Sequence, residues 1–130
     1  MLTGPTTIQT REGRGVAHPL KAGTTVYKGA LVALEAGLAI PLTAAANLRY
    51  VGVAEATAVN EGADGDEMVT VLRIAVLAKN DAGDAVTRAD VGAPAYGVDD
   101  ETVARTDGGG ARSPAGTIIA VDDAGVWIEP

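Results

Sequence analysis

The sequence predicts an all-β fold, a small β-barrel or β-sandwich built from two degenerate hairpin-plus-strand repeats, with an extended N-terminal arm. Three observations carry that expectation. Clusters of Gly, Pro, Asn and Asp recur about every 8–12 residues, the spacing of short strands joined by turns. No long stretch shows the roughly 3.6-residue apolar period of an amphipathic helix. The segment Ala22–Ala58 also recurs in degenerate form at Thr87–Pro130, with Gly29 matching Gly92 and Gly52 matching Gly116, at spacings of 23 and 24 residues.

In each copy a Gly-Ala dipeptide leads into a short apolar strand, Leu31–Leu34 or Pro94–Val98. An acidic or Gly turn follows, Glu35-Ala36-Gly37 or Asp99-Asp100-Glu101, then a return strand, Leu38–Leu42 or Thr102–Thr106. A loop then delivers a Gly-started apolar strand, Gly52–Ala56 or Gly116–Val121. The repeat is a statement about fold and names no chemistry.

Taken in order, residues 1–20 lack periodicity, are rich in Thr, Gly and Arg, and contain Pro5 and Pro19. They read as an extended arm with one short strand near Thr6–Thr10, ahead of a single β domain spanning residues 21–130. Thr24–Tyr27 is β-branched and aromatic, hence strand. Ala30–Leu34 and Leu38–Leu42 form a hairpin, with Pro41 marking an edge because it has no N–H for a ladder. Thr43–Asn47 is Ala-rich and reads as one helical turn, too short to stand alone. Tyr50–Ala58 is the next strand, and Asn60–Asp66 is a loop. Glu67–Ala78 is nearly continuously apolar, as in a strand buried on both faces or bent across a core, and its β-branched Val and Ile argue against a helix. Lys79–Asp84 turns, Ala89–Gly92 makes a short turn, Gly108–Ser113 forms a mobile loop, and Val126–Glu129 closes the chain as an alternating strand.

The 130 residues fit one domain. There is no apolar run long enough for a membrane helix and no apolar segment of a secretory leader near the start. Cysteine is absent, which removes disulfides, thiolate ligands and thiol nucleophiles. Phe is absent too, so the core must be Val, Ala, Leu and Ile. Such a core buries little area per residue, and association would add stability. The net charge is −7, split into about +2 over residues 1–21 and about −9 beyond. An acidic body opposes nucleic-acid binding and suits docking on a basic protein surface.

The candidate reactive residues form no constellation. His18 is the sole histidine and stands next to Pro19, with no HExxH and no second imidazole. Asp64-Gly65-Asp66-Glu67 lacks the ligand spacing of a calcium loop and reads as a turn. Asp99-Asp100-Glu101 and Asp122-Asp123 also sit at turns, where Asp is favoured. Gly108-Gly109-Gly110 lacks the Lys-Ser/Thr of a phosphate loop. Trp127 reads as a core plug, with an interface anchor as the competing reading. Tyr27, Tyr50 and Tyr96 are too scattered for a nucleic-acid stacking platform.

The order KAGTTVYKGALVALEAGLAIPL, RYVGVAEATA, an acidic Gly loop, VTVLRIAV and GTIIAVDDAGVWIEP resembles the head decoration (capsid cement) proteins of tailed bacteriophages over about residues 20–130. The resemblance implies a structural virion protein and no enzyme. Made in the host cytoplasm, it would bind the outside of the head as a homotrimer and stabilise the lattice of the major capsid protein. It implies no cofactor, metal, nucleic acid, membrane or small-molecule substrate. On that reading the arm supplies the contact with capsid or neighbouring subunit, through Thr6, Thr7, Ile8, Arg11, Arg14 and His18. The loops Asn60–Asp66 and Gly108–Ser113 are secondary contacts. The alternatives are another virion component, such as a tail-tube or baseplate protein, and an unrelated small enzyme or carbohydrate-binding domain.

Overall fold

The structure is a computed structural model that describes Met1, residues 3–5 and residues 14–130. Among those residues the chain forms twelve short strands and one 3-10 turn at Arg88–Asp90. In the first half, β1 (Gly15–Pro19), β3 (Leu31–Glu35), β4 (Leu38–Pro41), β5 (Arg49–Ala54) and β7 (Met68–Leu72) make a sheet in the order β1-β7-β5-β3-β4. A small accessory sheet pairs β2 (Thr24–Val26) with β6 (Ala58–Asn60). In the second half, β8 (Val76–Asn80), β9 (Pro94–Gly97), β10 (Thr102–Ala104), β11 (Pro114–Asp122) and β12 (Gly125–Glu129) close into a barrel in the order β10-β8-β12-β11-β9.

The two halves repeat one topology. The hairpin-plus-strand set is β4-β3-β5 in the first and β10-β9-β11 in the second, flanked by β7 and β1 or by β12 and β8. Hydrogen bonds match position for position. Gly29 N–H donates to the Ala54 carbonyl at 3.0 Å, and Gly92 N–H to that of Ile118 at 2.9 Å. Ala54 N–H returns to Ala30, and Ile118 N–H to Ala93, both at 2.9 Å. The closing pair is parallel in both halves. In the barrel β10 lies beside β8, whereas in the first half the ends meet at one bridge, Leu20 with Ala39. The repeat read from the glycines is therefore real, and longer than the sequence indicates. It adds β1 and β7 to one copy and β8 to the other, whose span Thr87–Pro130 already contains β12.

Two apolar clusters follow from strand alternation. Val32, Ala39, Ala54, Val69 and Val71 fill the first half with Leu20 and Val26. Leu31, Ala33, Ile40, Leu42 and Leu48 point the other way, into a cluster with Ala95, Val103, Ile118, Val126 and Ile128 of the barrel. The β3–β4 hairpin is thus a wall shared by both halves. That is why its sequence, LVALE and LAIP, is apolar on both faces.

Several elements differ from the sequence expectation. Gly15–Pro19, expected within the arm, is strand β1 and pairs along its whole length with β7. The β7 ladder has an otherwise unpaired side there, and β1 satisfies it. The expected strand near Thr6–Thr10 lies outside the described residues. Glu67–Ala78 is two strands broken at Arg73–Ala75, with β7 in the first sheet and β8 in the barrel. Their alternating burial shows a chain crossing from one half to the other, not one strand buried on both faces. Tyr50–Ala58 is likewise broken at Glu55–Thr57, separating β5 from β6. Thr43–Asn47 has no helical turn; it bends and turns, with Asn47 at a φ of 64°. Pro41 does lie on an edge strand, β4.

Candidate functional site

Of the six expected contact residues, Thr6, Thr7, Ile8 and Arg11 lie outside the described residues. Arg14 is exposed just before β1, and its carbonyl accepts the Arg73 N–H at 2.9 Å. His18 is half-buried within β1, opposite Val69, and burial lowers its pKa below the usual imidazole value. The strand carries His18 into a groove of about 440 Å³ with Val16, Tyr50, Val51, Arg73 and Pro130. Arg14 is not among its lining residues.

Tyr50 links the depressions of this region. It projects from β5 between the halves and also lines a second depression with Leu48, Arg49, Pro114, Gly116 and Pro130. Its ring packs against the larger core cluster. Its hydroxyl is buried without a hydrogen-bond partner among the described residues, and burial pushes its pKa up. Arg49 and Arg73 flank it, and neither forms an ion pair among the described residues. Arg73 gives the groove a guanidinium donor, and Arg49 gives one to the second depression. His18 makes no side-chain hydrogen bond among the described residues that line the groove. Sequence reasoning weighed Tyr50 only as part of a stacking platform and passed over Arg73. The available signal was a cation interrupting the apolar run VTVLRIAV.

The two loops named as secondary contacts are held by their own side chains. Asn60 is fully buried, and its amide donates to the carbonyls of Leu20 and Ala63, both at 2.8 Å, while its oxygen accepts from Gly62 N–H at 2.9 Å. The Asp66 carboxylate accepts from Ala63 N–H at 2.9 Å, and Asp64 from Ala22 N–H at 2.8 Å. Beside them an open depression of about 510 Å³ is lined by Val59, Glu61, Gly62 and Glu67 as well as Asn60 and Asp66. The loop expected to be mobile, Gly108–Ser113, has a fixed base. Arg112 donates to Asp84 at 3.0 Å and to the Thr106 carbonyl at 3.1 Å. Ser113 is buried, donates to the Ala45 carbonyl at 2.6 Å and accepts from Leu48 N–H at 2.9 Å.

The acidic residues are tied into turns. Asp84 accepts from the Thr106 hydroxyl and N–H as well as Arg112, and the Thr106 hydrogen bond leads in holding its pKa below the usual carboxylate value. Asp90 accepts from Thr87 and Arg105 and is lowered in the same way, Thr87 first. Asp99 and Asp122 accept from Glu101 N–H and Ala124 N–H at their own turns. Asp100 runs opposite: burial, then the neighbouring Asp99 and Glu101, raise its pKa. Among the described residues no three His, Asp or Glu side chains converge as a metal site.

Trp127 is not a core plug. Val126 and Ile128 take the inward positions of β12, and alternation leaves Trp127 on the outer face, 37% exposed. Compared with protein-family models, curated proteins and solved structures, the chain matches none of them.

Proposed function

We propose that this chain is a structural virion protein that adds to the outside of a tailed-phage head, as trimers, and stabilises the lattice of the major capsid protein. The reading starts from the resemblance in strand order and sequence style over residues 20–130. The observation that carries it is the use to which the carboxylates are put. Asp66, Asp90, Asp99 and Asp122 accept hydrogen bonds that fix their own turns, and Asp64 and Asp84 accept ones that tie separate loops together. A rigid body whose polar groups hold its loops suits a part that works by binding.

The mechanism follows from mass action. A protein that binds the assembled lattice and not its free subunits lowers the free energy of the assembled state. A trimer touching several capsid subunits gains further through effective concentration, so each contact can be weak. The test is co-sedimentation of the purified protein with expanded, undecorated heads of its own phage and with unexpanded procapsids. Saturable binding to expanded heads, with survival of decorated heads at temperatures that rupture bare ones, is the expected result. No binding to either particle, or spontaneous assembly into tubes, would overturn the reading and favour a tail component.

A further inference from the structure

The internal repeat supplies a control that a single-copy fold lacks. Outward positions of the repeated elements in one half have counterparts in the other, except where a bulge adds a residue. On the outer face of the barrel Leu77 pairs with Trp127, and Trp127 with Ala120. A bulge between Ile118 and Ala120 turns Ile119 outward as well, and Ile119 and Ala120 share a shallow depression with Val91. Leu77 and Ile119 are each 39% exposed and Val91 is 50% exposed. Together they make an apolar band running across β8, β12 and β11.

The first half carries different chemistry at the same places. Ala17 pairs with Thr70 as Leu77 pairs with Trp127. Glu55, whose N–H donates to the Thr70 carbonyl at 3.0 Å, stands where Ala120 faces Trp127. Lys28 precedes Gly29 as Val91 precedes Gly92. All four counterparts are exposed. The fold therefore does not require apolar side chains on this face, since one copy is stable with Ala, Thr, Glu and Lys there. Scattered exposed apolar residues are ordinary, but a contiguous band present on one copy and absent from its twin calls for a binding role.

The charges around the band select the occupant. Asp122 and Asp123 lie at the β11–β12 turn, and Glu129 lies two residues beyond Trp127, on the same outward side of β12. These carboxylates form no ion pair among the described residues. Lys79, two residues from Leu77, is paired with Glu101 at 2.7 Å, which leaves Arg88 as the unpaired cation lining the band among the described residues. Two copies meeting symmetrically through this face would set like carboxylates against each other in chains of net charge −7. A surface with an apolar centre and a Lys/Arg rim is complementary in both respects.

We infer that the Leu77–Trp127–Ala120 face of the barrel, with Ile119 and Val91, is the docking surface for a basic-rimmed apolar patch on the capsid shell, with Trp127 as its anchor. The inference rests on the head-binding reading above and adds the face, its orientation and the partner's chemistry. Trp is among the residue types enriched at binding hot spots, which cluster near the centre of a desolvated contact. The outer face of the first half, where Met68 is the exposed apolar residue of β7 and Ala17 and Thr70 stand at the band's positions, then points away from the shell contact.

The experiment exchanges the face for its own counterpart. The variant Leu77→Ala, Trp127→Thr, Ala120→Glu, Val91→Lys carries what the first half already tolerates. A second variant, Asp123→Lys with Glu129→Lys, reverses the rim and leaves the apolar band intact. Both are compared with the wild type for binding to expanded heads, with circular dichroism and sedimentation velocity as checks on fold and assembly. Wild-type binding that weakens with added salt, a loss of at least about tenfold in the face-exchange variant, and weaker binding with a flatter salt dependence in the rim variant are expected. If both variants bind like the wild type, the surface is wrong while the head-binding function stands. If the wild type itself fails to bind heads, that function falls and the shell as occupant falls with it. If the face-exchange variant loses self-association but binds heads undiminished, the face is covered by a second copy and the inference is overturned.

Discussion

Gly52 and Gly116 show how closely residue choice is tied to the repeated fold. Both have positive φ, 138° and 80°, and both sit at bulges where one strand crosses close to another. A Cβ on Gly52 would overlap the Leu72 carbonyl oxygen, and one on Gly116 would come within 2.5 Å of that of Glu129. Gly52→Ala is expected to cost about 3 kcal/mol, strain and overlap combined. Gly116→Ala should cost a similar amount, and urea unfolding of both variants measures it. A loss below about 0.5 kcal/mol, the range of neutral surface changes, would contradict the strain argument. Ser113→Ala should cost about 1–3 kcal/mol, because it leaves the Leu48 N–H and the Ala45 carbonyl without their partner. Asp100 carries the opposite expectation. Burial and its acidic neighbours raise its pKa, so the folded state holds its proton more tightly than the unfolded chain. Its contribution to stability therefore falls as pH rises through the carboxylate range. Asp100→Asn should raise the melting temperature at pH 7, and that gain should vanish at pH 3, where the native carboxyl is protonated. Equal gains at both pH values would rule out charge as the cause.

At the scale of elements, the β3–β4 hairpin does the most. It pairs Glu35 with Leu38 across a two-residue turn in which Ala36 and Gly37 both have positive φ, 49° and 87°. That is the pattern of a turn matched to strand twist, but an alanine in the left-handed region is strained. Ala36→Asn should relieve the strain and stabilise the protein by about 0.5–1 kcal/mol in denaturant melts, within the margin expected for a corrected turn. An unchanged midpoint would mean that the backbone relaxes without help. The hairpin was legible in the sequence because its turn and its two apolar runs are local signals. The break at Arg73–Ala75 was not, because nothing in a run of Val, Leu and Ile marks where a strand leaves one sheet for another. Strand β1 was missed for a related reason. Four exposed or half-exposed residues accompany its one histidine, so it has little apolar pattern of its own, and it exists because β7 offers it a ladder.

For the molecule as a whole, the larger core cluster is shared between the halves, since Leu31, Ala33, Ile40, Leu42 and Leu48 of the first help to fill it. Leu31 N–H also donates to the Asp100 carbonyl at 2.8 Å, and Ser113 binds the chain between β4 and β5. The halves should therefore unfold together. Calorimetry is expected to show one transition with equal calorimetric and van't Hoff enthalpies. Two resolved transitions would mean that the shared cluster contributes little and that each half is a domain. A fragment spanning residues 75–130 should likewise fail to fold alone and recover structure on mixing with residues 14–73.

What the sequence determined was whatever local chemistry can encode. Turn residues set the rhythm of short strands, β-branched runs set their type, and four glycines betrayed a duplication because positive φ and close approach leave glycine as the strain-free choice there. What only the tertiary structure decided was where each strand ends up. Closing the second half into a barrel, leaving the first half closed by one bridge, and turning Trp127 outward all depend on which strands meet across long stretches of chain. The same holds for His18, which local sequence places in an arm and which β7 draws into a groove beside Tyr50 and Arg73. Pairing partners far apart in sequence leave no mark on either strand, so the surfaces they build become visible only once the sheets have formed.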